Sequence, residues 1–214
     1  MKLRFSDLCA RHSIGSHTVD RLPVSEKSPL HPVSIYGYLK ACADLYALNG
    51  AKSRPISVCV LRFSNLYGAS VGGSFPSTVL QCFAGGVLRG GSVILHASLK
   101  NSRDFLHVKD AARALEAAVL RKQVEGIVNV GSGKETSLRE AAERLARLAG
   151  KELAIDFRPK EGRLRRMSAD IRRARQVFGF IPKVPLDQGL REVLDGVWHE
   201  IKRQNGPKEE AKNH

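Results

Sequence analysis

The chain has 214 residues, of which 43% are apolar and 26% are charged, a balance typical of a globular protein rather than of a fibrous or disordered one. No apolar run reaches the ~18 residues of a membrane-spanning helix, and the first residues lack the apolar stretch of a signal peptide, so we expect a cytoplasmic location. The 35 Lys and Arg residues outnumber the 21 Asp and Glu residues and give a net charge of +14, which attracts nucleic acids, membranes and phosphorylated small molecules alike.

The residues that commonly bind metals are scattered along the sequence. The four cysteines form no C-x-x-C pair, and the seven histidines show no metal-ligand spacing, so no metal site is expected. We interpret Cys9, Cys42, Cys59 and Cys82 as free thiols. Cys42 and Cys59 fall within helical and strand patterns, where cysteine usually behaves as a small core residue.

The pattern of the first third predicts one helix and one buried strand. Residues 1–31 show little periodicity. Ser34 can cap a helix that ends at Gly50, and its apolar residues recur at helical spacing: Ile35, Leu39, Ala43 and Tyr46. The run at 55–63 is nearly all apolar and β-branched, which is typical of a strand in a parallel sheet.

Strands and helices alternate in the remaining two thirds. We expect helices at 76–88, 110–121, 137–149, 170–178 and 186–203, and extended segments at 92–96, 104–108, 126–130 and 153–159. Glycines at 68–73, 150 and 179 separate some of these elements, and residues 204–214 are predicted to be a disordered tail. This alternation favours an α/β fold.

Tyr36 and Lys40 lie four residues apart in "PVSIYGYLK" and therefore share one face of the first helix. An ammonium beside a phenol stabilises tyrosinate, which lets a tyrosine act as an acid or base near neutral pH. The same spacing arises readily by chance on an exposed helix face. Taken by itself, the pair leaves both interpretations open.

Other local patterns have structural explanations. The run Gly131 to Lys134 is not a P-loop, because Val128 and Glu135 stand where that motif requires Gly and Ser or Thr. We interpret it as a turn between a strand and a helix. His107 is expected to be packed or hydrogen-bonded rather than catalytic.

Five segments, read in order, resemble a known family: "PVSIYGYLK", "LRFSNLYG", "RDFLHVKDAARAL", "VNVGSG" and "ADIRRARQVFGFIPKVPLDQGLREV". The succession resembles the NAD-dependent epimerase/dehydratase family of extended short-chain dehydrogenase/reductases, which modify nucleotide-diphosphate sugars. The resemblance covers about residues 22–203. It implies an incomplete Rossmann-like parallel sheet with a small α/β substrate-binding lobe.

The resemblance also implies roles for individual residues. Tyr36 would exchange a proton with the sugar hydroxyl, Lys40 would hold the nicotinamide ribose, and Phe63 would contact the cofactor. Asn65 and Arg103 would bind the substrate's diphosphate, since a guanidinium suits phosphate oxygens. Two further cations, Arg158 and Lys160, fall where a second phosphate-binding residue often lies. Asp110 and Asn129 match motif positions too, and we interpret them as a helix cap and a turn residue.

The sequence departs from the family pattern before Tyr36. The family's Rossmann half begins with G-x-x-G-x-x-G, and Gly15 is the only glycine among the first 35 residues. The chain is therefore expected to bind NAD or NADP weakly by itself. The family's catalytic Ser or Thr lies about two dozen residues before the tyrosine, and Ser13 is the nearest candidate, with Ser16 and Thr18 as alternatives.

The expected organisation is a partial Rossmann-like core within residues 1–203, interwoven with a lobe formed mainly by 69–102 and 131–203. The expected function is that of an NAD(P)-dependent epimerase or dehydratase, as an isomerase, lyase or oxidoreductase, whose activity as a truncated chain is open. The alternative is a non-catalytic module that binds a nucleotide sugar or a partner. Related enzymes often form homodimers, so a homodimer is also expected. A nucleic-acid partner is disfavoured because no recognition motif accompanies the positive charge.

Overall fold

The computed structural model describes residues 7–9, 22–30, 32, 34–52, 57–68, 78–95, 101–121, 124–158 and 166–205. The chain divides into two compact units: the first comprises residues 1–66, 100–137 and 162–184, and the second comprises residues 67–99, 138–161 and 185–214. Segment 162–184, which the sequence grouped with the lobe, thus belongs to the first unit. Residues 206–214 of the expected tail lie outside the described residues.

The described residues contain nine strands and six helices. The strands are β1 (Asp7–Cys9), β2 (Cys59–Phe63), β3 (Asn65–Tyr67), β4 (Val93–Leu95), β5 (Ser102–Arg103), β6 (Phe105–His107), β7 (Gly126–Val130), β8 (Thr136–Ser137) and β9 (Ile155–Phe157). The helices are α1 (Ile35–Lys52), α2 (Val79–Leu88), α3 (Val108–Leu120), α4 (Leu138–Ala149), α5 (Arg172–Phe178) and α6 (Leu186–Asn205). The α/β prediction is confirmed.

A three-stranded parallel sheet, ordered β1-β2-β7, forms the centre of the first unit. All five residues of β2 are buried, as its continuous apolar run predicted, because the helices that connect parallel strands cover both faces of the sheet. Leu61 stands opposite Val128 in the register between β2 and β7. The core around β2 is formed by residues from the sheet, β6, α3 and α5: Cys59, Leu61, Phe63, Leu106, Ala111, Ala114, Ala118, Val128, Val130, Ala174 and Phe178.

Helix α1, which the spacing of its apolar residues predicted, places its apolar side outward. Ile35 is 81% exposed and Tyr46 is 78% exposed, and Leu39 is exposed as well. The buried positions are instead Gly37 and Asp44. Cys42 is also exposed, so the expectation that it packs in the core is wrong, whereas Cys59 is buried. The helix also continues through Gly50 to Lys52.

Two residues have structural roles that differ from the sequence interpretation. Asp110 is not the cap of α3. The cap is His107, whose Nδ1 accepts a hydrogen bond from the Lys109 amide, and the buried Asp110 carboxylate accepts the amides of Lys183 and Val184 at 3.0–3.2 Å. Asn129 is not a turn residue but a buried residue of β7 whose side-chain amide donates to the carbonyl of Val24 at 3.0 Å.

Three helices and a two-stranded parallel sheet of β4 and β9 build the second unit. Helices α2, α4 and α6 pack against one another. Their buried side chains include Leu80, Phe83, Leu145, Leu190, Val193 and Val197. A capping box between Thr78 and Gln81 begins α2. Gly150, with φ of 63°, follows α4, as the sequence predicted.

Within the described residues, no helix combines the length and the apolar character that crossing a membrane requires.

Candidate active site

Tyr36 and Lys40 lie on the same face of α1. The Lys40 ammonium lies 5.5 Å from the centre of the Tyr36 ring, close enough for the cation to act on the aromatic system. Tyr36 is 42% exposed, and Lys40 is half-buried. The phenol is therefore accessible to a ligand and has a cation beside it.

A buried ion pair attaches α1 to the sheet. The Arg62 side chain in β2 donates through Nε to Asp44 Oδ2 at 2.9 Å, and both side chains are at most 3% exposed. Asp44 follows Lys40 by one helical turn. Removing either partner would leave an uncompensated buried charge, so this pair fixes the position of the helix that carries Tyr36 and Lys40.

Phe63 is the last residue of β2, and Ser64 and Asn65 follow it; all three residues are buried. The Asn65 backbone amide donates to the carbonyl of Asp104 at 2.9 Å. Its side-chain nitrogen lies 3.4 Å from the same carbonyl and 3.5 Å from Met167 Sδ. These contacts hold Asn65 beside the segment that carries Arg103.

Asp104 joins several segments of the first unit. Its Oδ1 accepts hydrogen bonds from Ser64 Oγ and from the backbone amide and hydroxyl of Ser132, at 2.7–3.0 Å. Its Oδ2 accepts the amides of Gly133 and Ala169 at 3.1 and 2.9 Å. The carboxylate is fully buried, and five donors replace the water that it loses. Asp104 stands beside Arg103 in the motif "RDFLHVKDAARAL", but no local pattern there predicts its role.

Arg103 is half-buried at the end of β5, and its Nη1 donates to the carbonyl of Ser102 at 2.8 Å. Near it, Glu135 accepts hydrogen bonds from Ser102 Oγ and, at 2.6 Å, from two nitrogens of Arg166. The Arg166 guanidinium is the main reason that the pKa of Glu135 is lowered. Glu135 therefore remains a carboxylate near the segment of Arg103.

The structure brings Phe63, Asn65 and Arg103 into one unit with Tyr36 and Lys40. Arg158 belongs to the second unit, where its guanidinium pairs with Asp156 at 2.7 Å and is 60% exposed. Ser13, Ser16, Thr18 and Lys160 lie outside the described residues. Among the described residues, no cluster of His, Cys, Asp or Glu could hold a metal ion.

The parallel sheet and the Tyr-x-x-x-Lys helix define the class of extended short-chain dehydrogenase/reductases. A model of the NAD dependent epimerase/dehydratase family matches residues 11–131, which is more than half of the chain. The chain belongs to this family.

Three similar proteins illustrate the relationship. A putative UDP-glucose 4-epimerase of Methanocaldococcus jannaschii is 33% identical over 175 residues, which cover 81% of this chain and 56% of that protein. A dTDP-glucose 4,6-dehydratase of Streptomyces griseus is 33% identical over 172 residues, covering 79% and 52% of the two chains. The crystal structure of the UDP-glucose 4-epimerase of Thermotoga maritima with UDP-glucose superimposes with a TM-score of 0.83 at 26% identity, covering 94% of this chain and 64% of that one.

The chain thus spans about half the length of the curated relatives that it matches.

Proposed function

We propose that this chain carries the catalytic helix and the substrate-binding residues of an enzyme that oxidises the sugar ring of a nucleotide-diphosphate sugar transiently, as an epimerase or a dehydratase. The observation that carries the proposal is the Lys40 ammonium beside the accessible ring of Tyr36. Family membership supports it, because the matching relatives are named as UDP-sugar and dTDP-sugar enzymes.

Tyr36 is the proposed acid and base for the sugar hydroxyl. A phenol in this role must reach the substrate, and the partial exposure of Tyr36 is compatible with that. Lys40 supplies a positive charge that favours the deprotonated phenol when the sugar is the proton donor. A bound nicotinamide dinucleotide, NAD or NADP, supplies the hydride-accepting chemistry. Lys40, Tyr36 and Phe63 are the residues proposed to hold its nicotinamide end.

Arg103 is the proposed main contact of the substrate's diphosphate. Its guanidinium is half-buried and presents several donors in one plane, which matches phosphate oxygens. Asn65 is proposed to assist from the neighbouring segment. Arg158, Lys160 and Ser13 keep the roles that the family resemblance implies, the first two toward the diphosphate and the third as the catalytic hydroxyl.

The 214 residues contain no G-x-x-G-x-x-G turn, so the contacts that this motif makes with a dinucleotide pyrophosphate are missing from the sequence. The proposal therefore includes weak binding of NAD by this chain by itself. If turnover is absent while nucleotide-sugar binding persists, the alternative of a binding module takes its place.

A homodimer through α1 belongs to the same proposal. The exposed side chains Ile35, Leu39 and Tyr46 offer an apolar surface that a second copy would cover. Sedimentation equilibrium at micromolar concentration measures it, and a monomer at every concentration would contradict it.

Replacing Lys40 tests the enzymatic proposal. UDP-glucose and dTDP-glucose are incubated separately with the protein and millimolar NAD, and the nucleotide sugars are separated by chromatography. We expect Lys40→Met to lower turnover by about 10²-fold or more, because the charge that assists proton transfer is lost. Lys52→Met, an exposed lysine in the last turn of the same helix, is the matched control and should keep the wild-type rate. Equal rates for the two variants would refute the proposed role of Lys40.

A further inference from the structure

The second unit contains a cavity that has no part in the proposed reaction. Its volume is about 460 Å³, within the range of roughly 300–1,000 Å³ of small-ligand pockets. It lies among the C-terminal ends of α2 and α4 and the middle of α6. The lining residues are Leu88, Leu148, Ala149, Lys151, Arg191, Leu194, Asp195 and Trp198. None of them was assigned to substrate or cofactor.

The lining combines an apolar surface with an aromatic ring. Leu194 is buried, and Leu88 and Leu148 are half-buried, so the side chains of three helices form a hydrocarbon surface. Trp198 is 44% exposed, and the Lys202 ammonium lies 5.1 Å from its ring centre. An exposed indole next to leucines favours a flat, apolar ligand, because such a ligand buries its own surface and that of the ring together.

The charged residues of the lining favour a ligand with a negative charge. Lys151 and Arg191 are both exposed and provide two positive charges, against one negative charge from Asp195. None of these three side chains forms an ion pair with any residue in the part of the chain that the structure describes. The cations are therefore available to an incoming anion, which gains from a partly apolar surrounding.

The helix ends at the cavity oppose an anion only weakly. The last carbonyls of α2 and α4 carry partial negative charge, but several of them already accept hydrogen bonds. The amides of Arg89 and Gly90 bond to the carbonyls of Gly85 and Val87, and the Lys151 amide bonds to the carbonyl of Ala146. The two full positive charges therefore outweigh the helix ends and Asp195.

We propose that this cavity binds a small aromatic anion, with its ring against Trp198 and Leu194 and its anionic group between Lys151 and Arg191. Asp195 is placed to accept a hydrogen bond from a donor on the same ligand.

The protein provides its own probe, because Trp198 is its single tryptophan. Excitation at about 295 nm selects indole over tyrosine, and an iodinated ring quenches indole emission only on contact. The probe is 4-iodobenzoate, and its uncharged counterpart is 4-iodobenzamide. We expect saturable quenching by the benzoate with a dissociation constant of roughly 1 mM or below, as suits a ligand of its size, and at least about threefold weaker binding of the amide.

Two variants and one control assign the anion contact. Arg191→Gln and Lys151→Gln should each raise the dissociation constant of 4-iodobenzoate by about threefold and leave that of the amide unchanged. Arg139→Gln, an exposed arginine at the start of α4 outside the lining, should have no effect. Three outcomes would each overturn the proposal. They are quenching that rises linearly without saturation, equal dissociation constants for the benzoate and the amide, and an equal rise of the 4-iodobenzoate dissociation constant in Arg139→Gln.

Discussion

Asp104 connects the residue after β2, the turn after β7 and the segment at Ala169 through five hydrogen bonds to one buried carboxylate. An asparagine of the same shape would direct an NH₂ group at some of these donors. We therefore expect Asp104→Asn to lower the free energy of unfolding by about 2–4 kcal/mol in urea denaturation.

The matched control for Asp104 is Asp156→Asn. Asp156 makes an ion pair with the exposed Arg158, and the expected loss is below about 1 kcal/mol. Losses of similar size in the two variants would contradict the structural role of Asp104.

Gly131 is required by the close approach of the Asp104 carboxylate. A Cβ added there would lie 2.7 Å from Asp104 Oδ2 and 2.8 Å from the Ala169 Cβ. At Gly50, in contrast, a Cβ would meet nothing within 4 Å. We expect Gly131→Ala to destabilise the protein by about 1–3 kcal/mol and Gly50→Ala to stabilise it by about 0.5–1 kcal/mol. Thermal denaturation measures both, and stabilisation by Gly131→Ala would show that the turn has more room than the structure gives it.

Local sequence could not predict the roles of Asp104, Asp110 and Asn129. Asp110 was interpreted as a cap because acidic residues commonly stand at helix starts, but its backbone partners follow 73 and 74 residues later. The partner of the Asn129 side chain precedes it by 105 residues. A polar side chain whose partners are this distant has no local signal.

At the scale of elements, one carboxylate links α4 and α6. Asp187 accepts hydrogen bonds from Arg144 and Arg147 at 2.7 and 2.9 Å. These two guanidinium groups lower the pKa of Asp187 below its usual value. Because the folded-state pKa is depressed, the stabilisation is present above the unfolded value of about 3.9 and is lost as pH falls through the folded value.

We expect Asp187→Asn to lower the free energy of unfolding by about 0.5–1 kcal/mol at pH 7, and the difference from wild type should shrink as pH falls below about 4. Glu143→Gln is the control, since its pair with Arg139 is exposed and lies within α4; its expected cost is at most about 0.5 kcal/mol. Urea denaturation at several pH values measures both. A pH-independent difference for Asp187→Asn would contradict the ion-pair explanation.

Strand β2 and helix α1 show which element properties a sequence reveals. The apolar run of β2 predicted a strand covered on both sides, and the structure confirms it, because burial in a parallel sheet leaves a direct pattern. The spacing in α1 predicted the helix itself but not its direction. The apolar face of α1 is exposed, and a single sequence contains no signal that distinguishes such a face from one packed in the core.

At the scale of the whole molecule, the order of five motifs was enough to predict the family, and the family model confirms it. The division into units was less predictable. Segment 162–184 was expected in the lobe, yet Ala169 pairs with Val24 and its amide bonds to Asp104, which places the segment in the first unit. These contacts join residues that are far apart in the chain, so composition and periodicity do not reveal them.

Replacing Tyr36 by phenylalanine tests the central claim most directly, because the change removes a single oxygen atom from an accessible side chain. Two quantities are measured on wild type and Tyr36→Phe. The first is the turnover of UDP-glucose and dTDP-glucose with NAD, and the second is the binding of the same nucleotide sugars, followed by calorimetry. We predict that the variant loses turnover by about 10²-fold or more and keeps its binding constants within about threefold, since the change leaves the residues proposed to bind the diphosphate intact. Unchanged turnover in Tyr36→Phe would contradict the account.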